Sequence, residues 1–520
     1  QFYGVLQSMH VLMVAAENDA LPNAKVGGVA DVVRDCPKAL VEKGLTVDVV
    51  IPDYGFDYLE RHHIGVVHVP FAGQMQKMDV WKLAQSDEGV TQLLISHWEF
   101  SRHNGAVYCN DEPGRPFATD ASKFALFNAA VCEALLQGLI RTPDVVHLHD
   151  WHSACVALLL KTDSRYKKLS HLFLAYTVHN LALQGIRPFK GDSSSLEAWF
   201  PSLGYNGERL CDPRYFDCFN PMRSAINLVD KVHLVSPTYC QEVLRPSDAE
   251  KGFFGGEGLE ADLQAAYEQG RVVGILNGCE YPGMKLEDIS LASLYQHAEN
   301  ALFQWMAKSP VLDSSYYIAH QRLLKFKTQP FSGPLVTSVG RLTDQKALLL
   351  RQPYDKGLVL DELCQRLKQH NGYMIILGSG DAELEQIMTS VMARQENLLF
   401  LKGYAHFVGE YMYHLGDLFL MPSSFEPCGI SQMLAMRAGQ PCLVHGVGGL
   451  RDTVEHHVSG FSFQGESLAS QSYELVTSFG DALELKKSQP EQWCSICEQA
   501  KNARFTWQSV AEGYLSGLYQ

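Results

Sequence analysis

The sequence predicts an α/β protein of two domains, each a parallel sheet covered by helices, facing a shared cleft. Three observations carry this expectation. Short apolar, β-branched runs alternate with amphipathic stretches along most of the chain. That alternation lapses over residues 281–330 and restarts at Ser332-Gly333-Pro334. An octet of the form Val-Gly-Gly-x-x-Asp-x-Val occurs toward each end, at residues 26–33 and 447–454.

In chain order, the expected strands of the first half lie at 11–16, 47–51, 93–96, 145–148, 172–178, 232–236 and 272–276. Those of the second half lie at 335–339, 374–377, 398–401, 417–421 and 442–444. The first domain is expected to span residues 1–278, ending after Gly274-Ile275-Leu276-Asn277-Gly278. A helical hinge segment and the second domain fill 279–500. A helix over 501–520 is expected to pack back on the first domain. Met9 reads as a natural start into the first strand, with residues 1–8 a remnant of expression.

The 520 residues suffice for two or three domains of ordinary size, and a 46% hydrophobic content supplies large cores. A net charge of −15 argues against nucleic acid or an anionic membrane as partner. An anionic ligand then needs a local basic site. The thirteen cysteines are scattered singly, mostly in apolar runs, which fits a reducing cytoplasm. No signal peptide or membrane span is read.

The two octets each join a strand, a glycine turn and a helix N-terminus. Such turns expose backbone N–H groups where the helix dipole favours an anion. The competing reading is an ordinary tight turn. The loop Gly340-Arg341-Leu342-Thr343-Asp344-Gln345-Lys346 follows a strand, so Arg341 and Lys346 can converge on one polyanion. The loop 424–431 places Glu426 and Pro427 ahead of a helix. Glu426 there accepts from sugar hydroxyls or caps the helix. His147-Leu148-His149-Asp150-Trp151-His152 is open to a metal reading, but no further ligand completes a set, and Trp151 suggests a sugar platform. His179, in the run 176–185, falls at a strand end facing the expected cleft.

These segments bring a family into view. The chain resembles the bacterial glycogen synthases and plant starch synthases, retaining glycosyltransferases of family 5. That family carries K-T-G-G-L-A-D-V, D-W-H-T, T-I-H-N-L-A-Y-Q-G, S-R-L-T-x-Q-K-G, F-E-P-C-G-L-T-Q and T-G-G-L-x-D-T-V. All six have counterparts here in the same order, beginning at Lys25, Asp150, Thr177, Gly340, Phe425 and Val447. The resemblance implies two Rossmann-like domains of the GT-B type with a deep interdomain cleft. It also implies ADP-glucose as donor, the non-reducing end of an α-1,4-glucan as acceptor, and neither metal nor other cofactor.

Carried over by resemblance, Lys25 and the Gly27 and Gly28 amides approach the donor's diphosphate and sugar. Arg341 and Lys346 bind the diphosphate and stabilise the departing ADP. Glu426, with Cys428 and the amides of Gly429, Ile430 and Ser431, holds glucose hydroxyls. Tyr404 stacks on adenine, and His179 lies beside the anomeric carbon. Asp31, Asp150, Trp151, His152 and Asn277 lie on the sugar and acceptor side. The family mechanism is front-side attack through an oxocarbenium-like state. The chain departs from the family at Val26, Ala347 and Cys279-Glu280, and over 281–330. That last segment is expected to affect acceptor handling or domain closure, not donor affinity.

Other readings are weighed against this one. A nicotinamide-dependent oxidoreductase would use Asp53 on the ribose, but neither turn contains Gly-x-Gly-x-x-Gly. A glucan phosphorylase would need a pyridoxal phosphate lysine. A UDP-glucose-dependent transferase and a catalytically inactive glucan-binding homologue are the closer alternatives.

Overall fold

The computed structural model describes residues 9–84 and 87–520; the expectation for residues 1–8 lies outside them. The chain divides into two units. Unit 1 holds the residues up to Pro246, Gly255–Asn277 and Trp507–Gln520; unit 2 holds Ser247–Phe254 and Gly278–Thr506.

Unit 1 is built on β1 (His10–Val14), α1 (Gly28–Glu42), β2 (Thr46–Pro52), β3 (Arg61–Phe71), β4 (Gln74–Leu83) and β5 (Val90–Ser96). It continues with α2 (Ala118–Leu136), β6 (Val145–His149), α3 (Ala154–Thr162), β7 (Phe173–Val178) and α4 (Pro221–Leu228). β8 (Lys231–Leu234), α5 (Glu260–Glu268) and β9 (Val272–Gly274) complete its sheet, whose strand order is β9-β8-β7-β6-β1-β2-β5-β4-β3. From β9 to β5 every pairing is parallel. All five residues of β1 are buried, which explains why its sequence after His10 is an unbroken apolar run.

The far edge departs from the expected all-parallel sheet. β3 and β4 form an antiparallel hairpin, and β4 runs antiparallel to β5. Their outer faces meet solvent, so charged and polar residues interrupt the apolar pattern that marks the other strands. Ala72 and Gly73 make the turn with φ of 54° and 74°, the hand that two-residue hairpins require.

Unit 2 opens with α6 (Leu291–Lys308) and α7 (Ser314–Thr328), then β10 (Leu335–Val339), α8 (Val359–Lys368), β11 (Tyr373–Gly378), α9 (Ala382–Arg394) and β12 (Leu398–Lys402). Next come α10 (His406–Leu415), β13 (Leu418–Met421), α11 (Ser431–Arg437), β14 (Cys442–His445), α12 (Gly448–Thr453) and β15 (Gly460–Phe463). α13 (Leu468–Ser488) and α14 (Pro490–Asn502) close it. Six parallel strands lie in the order β12-β11-β10-β13-β14-β15. Leu335, Ile375, Leu399 and Leu401 from three adjacent strands pack with Leu302 and Leu323 from the two leading helices in one core. No described helix is long and apolar enough to cross a membrane.

The return of the chain to unit 1 starts at Trp507, not at residue 501, because α14 runs on to Asn502 and Thr506 still belongs to unit 2. α15 (Trp507–Gly513) is tied to α1 by Gln508 to Glu42 at 3.1 Å and by Lys43 to Glu512 at 2.9 Å. A π-helical turn, Tyr514–Leu518, follows. Tyr514 is fully buried, its ring against His147, His233 and Tyr519. Tyr514→Ala removes that ring from a packed site and is expected to cost about 3–5 kcal/mol. Urea unfolding of the full chain measures it; an unchanged midpoint would show that the tail does not brace unit 1.

Candidate functional site

The residues singled out in unit 1 lie beyond the C-terminal ends of its strands. After β1 the chain forms a loop that enters α1 at Gly28. Glu17 organises this loop. It is 2% exposed; one carboxylate oxygen accepts the N–H groups of Val26 and Gly27 at 2.5 and 2.6 Å, and the other accepts the Tyr108 hydroxyl at 2.6 Å. The first glycine turn therefore already holds an anion, supplied by the chain itself. This corrects the expectation of an open anion pocket for the Gly27 amide. Glu17 and Tyr108 were not foreseen; a carboxylate just past a strand end is the signal that could have found Glu17.

Lys25 donates to Asp31 at 2.7 Å and lies 3.8 Å from Asp19. Arg34 forks onto Asp35 and also pairs with Asp19. Burial raises the Asp31 carboxyl, an effect that Lys25 opposes. Asp31 is thus the partner of Lys25.

At the end of β6, Asp150 adopts φ 57° and ψ −172°, an uncommon backbone for a residue with a side chain. Its own N–H donates to Thr177 O, and its carboxylate accepts the His179 N–H at 2.7 Å. Burial pushes Asp150 up to about 7, against the lowering effect of the His179 and Asn180 amides. This carboxyl can exchange a proton near neutral pH.

His179 is half-buried, and its Nε2 lies 2.9 Å from Nδ1 of His149. Loss of surrounding water lowers both rings well below the usual histidine range, and each lowers the other or is lowered by further histidines nearby. Both are neutral at physiological pH. Nε2 of His149 is buried and has no hydrogen-bond partner among the described residues. A lone pair there leaves no N–H unsatisfied, so the hydrogen-bond pattern assigns the proton of His149 to Nδ1. His149 then donates to His179, which keeps its own N–H on Nδ1. Beneath them His147 bonds Thr177 and Tyr519, and Thr177 bonds His233.

Trp151 is not a platform. It is buried against Phe117 and Phe124, and a Cβ on Gly185 would come within 2.3 Å of its ring. His152 packs among Tyr108, Phe124 and Trp151, and burial pushes it down to about 3. No group of three or more metal-type side chains occurs among the described residues. Asn277 is buried, and its side-chain oxygen has no hydrogen-bond partner among those residues.

Unit 2 gathers a second constellation. Arg341, just past β10, is exposed, and no described residue accepts a hydrogen bond from it. The short helix Asp344–Ala347 presents Lys346, whose ammonium lies 3.1 Å from Glu426. Glu426 is 6% exposed and also accepts from Ser423 Oγ at 3.0 Å. Ser424 N–H donates to Gln345 O at 2.8 Å, lacing the two loops together. His445, pushed down to about 4 by burial, lies 3.0 Å from Ser423 O and supports the same loop.

The second octet has a function the sequence did not suggest. Gly449 N–H donates to Glu426 O at 3.0 Å. A Cβ on Gly448 would fall 1.8 Å from Glu426 O, and one on Gly449 2.1 Å from Cys428 O. The glycines let α12 press against the Glu426 loop. They are not an open phosphate pocket. Gly429, at φ 80°, then turns the chain toward Ile430 and Ser431 at the start of α11. Tyr404, two residues past β12, is 67% exposed, with its hydroxyl 3.3 Å from His406.

Two doubly wound α/β units with polar loops past their strand ends define a GT-B glycosyltransferase. Comparisons with known proteins agree. Residues 10–265 match the starch synthase catalytic domain, and residues 324–487 match glycosyl transferases group 1. Glycogen synthase of Streptococcus sanguinis is 32% identical, with 98% of this chain and 99% of that protein aligned. Glycogen synthase of Lactiplantibacillus plantarum is 30% identical over 97% and 98%. The catalytic domain of starch synthase IV from Arabidopsis thaliana, solved with ADP and acarbose, is 28% identical with a TM-score of 0.73 over 98% and 99% of the two chains. Sucrose-phosphate synthase from Thermosynechococcus elongatus shares the fold, at 15% identity and a TM-score of 0.53, over 98% of each chain. The chain belongs to the glycogen synthase family.

The Gly449 contact gives a direct test. Gly449→Ala must push the Glu426–Cys428 backbone away, and a displacement of about 1 Å is expected to lower glycosyl transfer about 10²-fold. Steady-state assays paired with circular dichroism check this. A folded variant with undiminished turnover would show that the loop is not held by this contact.

Proposed function

We propose that this protein moves glucose from ADP-glucose to the non-reducing end of an α-1,4-glucan with retention of configuration. The observation that carries the reading is the Arg341, Lys346 and Glu426 constellation of unit 2. Arg341 is an exposed guanidinium with no partner among the described residues, and it lines one cavity with Lys346, whose ammonium is held by a buried carboxylate. In a chain of net charge −15, this is the local basic site that a diphosphate requires.

Arg341 and Lys346 take the diphosphate and stabilise charge as it leaves. Glu426, with Cys428 and the Gly429, Ile430 and Ser431 amides, holds the sugar hydroxyls. Tyr404 stacks on the base. In unit 1 the buried Glu17 disfavours a phosphate at the first glycine turn, so this side suits neutral sugar better. Lys25, Gly27, Gly28, Asp31, Asp150 and Asn277 shape it, and His179 presents Nδ1–H to the reacting glucose. Trp151 and His152 act as core beneath it. The bond from C1 to the diphosphate oxygen breaks as the acceptor 4-hydroxyl oxygen bonds C1 on the same face. The acceptor's proton passes to the departing phosphate oxygen. The protein contributes positioning and electrostatic stabilisation. A cytoplasmic setting suits thirteen cysteines scattered singly along the chain.

Comparing kcat/KM for ADP-glucose and UDP-glucose with glycogen as acceptor tests the donor. A clear preference for ADP-glucose is expected, with Arg341→Ala and Glu426→Ala each losing about 10²–10³ in rate. A UDP-glucose preference would overturn the donor, and near-wild-type turnover in either variant would overturn the site. No activity with either donor would favour the inactive glucan-binding alternative.

Metal independence is part of the proposal. The sequence contains no Asp-x-Asp to hold a metal–diphosphate clamp, and Arg341 and Lys346 supply the positive charge instead. Activity is expected to survive excess chelator. Loss on chelation with recovery on Mg²⁺ or Mn²⁺ would show the opposite.

A further inference from the structure

We propose that Trp305 is a positioning residue for the donor's base, acting through Gly403 on Tyr404. The inference rests on the reading that Tyr404 stacks on that base. Trp305 lies on α6, within the segment where the family pattern is lost. A Cβ on Gly403 would fall 2.5 Å from Cε2 and Cζ2 of the Trp305 indole, so the ring lies directly against the Gly403 backbone. From the other side, Gly403 N–H donates to Gly378 O at 3.1 Å.

The neighbouring residues are held by the same helix pair. Lys402 is ion-paired with Asp313, the N-cap residue of α7. Its ammonium also lies 5.0 Å over the Tyr316 ring, which sits 6.1 Å from Trp305. Beyond Tyr404, His297 of α6 stacks on Phe407 and Tyr411 of α10. The run 402–411 is therefore braced by α6 and α7 at four side chains, while Tyr404 itself stands 67% exposed. A braced backbone fixes the direction in which the Tyr404 side chain leaves the chain, so only the ring torsions are left for binding to order. This turns around the expectation that residues 281–330 leave donor affinity untouched.

The test measures binding of ADP and of inorganic pyrophosphate, which lacks a base, to the full-length protein. Gly403→Ala drives a methyl into the indole, and Trp305→Ala removes the indole. Each is expected to weaken ADP about tenfold while pyrophosphate affinity stays within about twofold. Trp305→Phe keeps a flat ring and is expected to retain most of the affinity. The Gly403→Ala, Trp305→Ala double variant gives the methyl the vacated space, so its loss is expected to be smaller than the product of the two single losses. Unchanged ADP affinity in both single variants, with Tyr404→Ala weakened, overturns the role of Trp305. So does a double variant in which the losses simply multiply. Equal weakening of ADP and pyrophosphate marks a generally loosened unit and also overturns it. Unchanged ADP affinity in Tyr404→Ala overturns the base reading on which the inference stands.

Discussion

The constraint on which the Glu426 loop depends is the close approach of Gly448 and Gly449 to Glu426 and Cys428. Two carbonyl oxygens lie where Cβ atoms would otherwise be. Glu426 carries a buried carboxylate, and burying an unpaired carboxylate is costly. Lys346 and Ser423 offset that cost only while the loop stays in register with them. The glycine contact fixes the register, and the Ser424 to Gln345 bond transmits it to the helix bearing Lys346. Packing thus sets the electrostatics of this site.

Unit 1 solves the equivalent problem with a side chain. Glu17 occupies the Val26 and Gly27 amides that an external anion would use. Each octet therefore has one glycine N–H satisfied internally, Gly27 by a carboxylate and Gly449 by a peptide carbonyl. The shared octet reflects a shared need, a helix N-terminus held tightly to a strand-end loop.

This explains how much was legible in the sequence. All twelve expected strands form, because a strand covered on both faces is dominated by apolar residues. The β3–β4 hairpin was missed because its solvent face breaks the pattern, and Ala72-Gly73 is a weaker turn signal than Asn-Gly. Arg341, Lys346 and Glu426 were expected on loops past strand ends and they stand there, with Lys346 3.1 Å from Glu426. Site residues were not legible where function depends on who satisfies a given amide. Nothing in a linear pattern says that Gly27 already has an acceptor, or that Trp151 is roofed by Gly185.

The distribution of charge differs between the two units. Past the strand ends of unit 1 stand Glu17, Asp150 and neutral, buried histidines, with Lys25 already engaged by Asp31. Past those of unit 2 stand Arg341 without a partner among the described residues and Lys346 on Glu426. A phosphate placed in the first set would meet carboxylates in a medium where their repulsion is poorly screened. Placed in the second it meets cations. Hydroxyls, which donate and accept, suit the first set equally well. This distribution supports the proposal that sugar lies with the polar groups of unit 1 and the nucleotide diphosphate with those of unit 2.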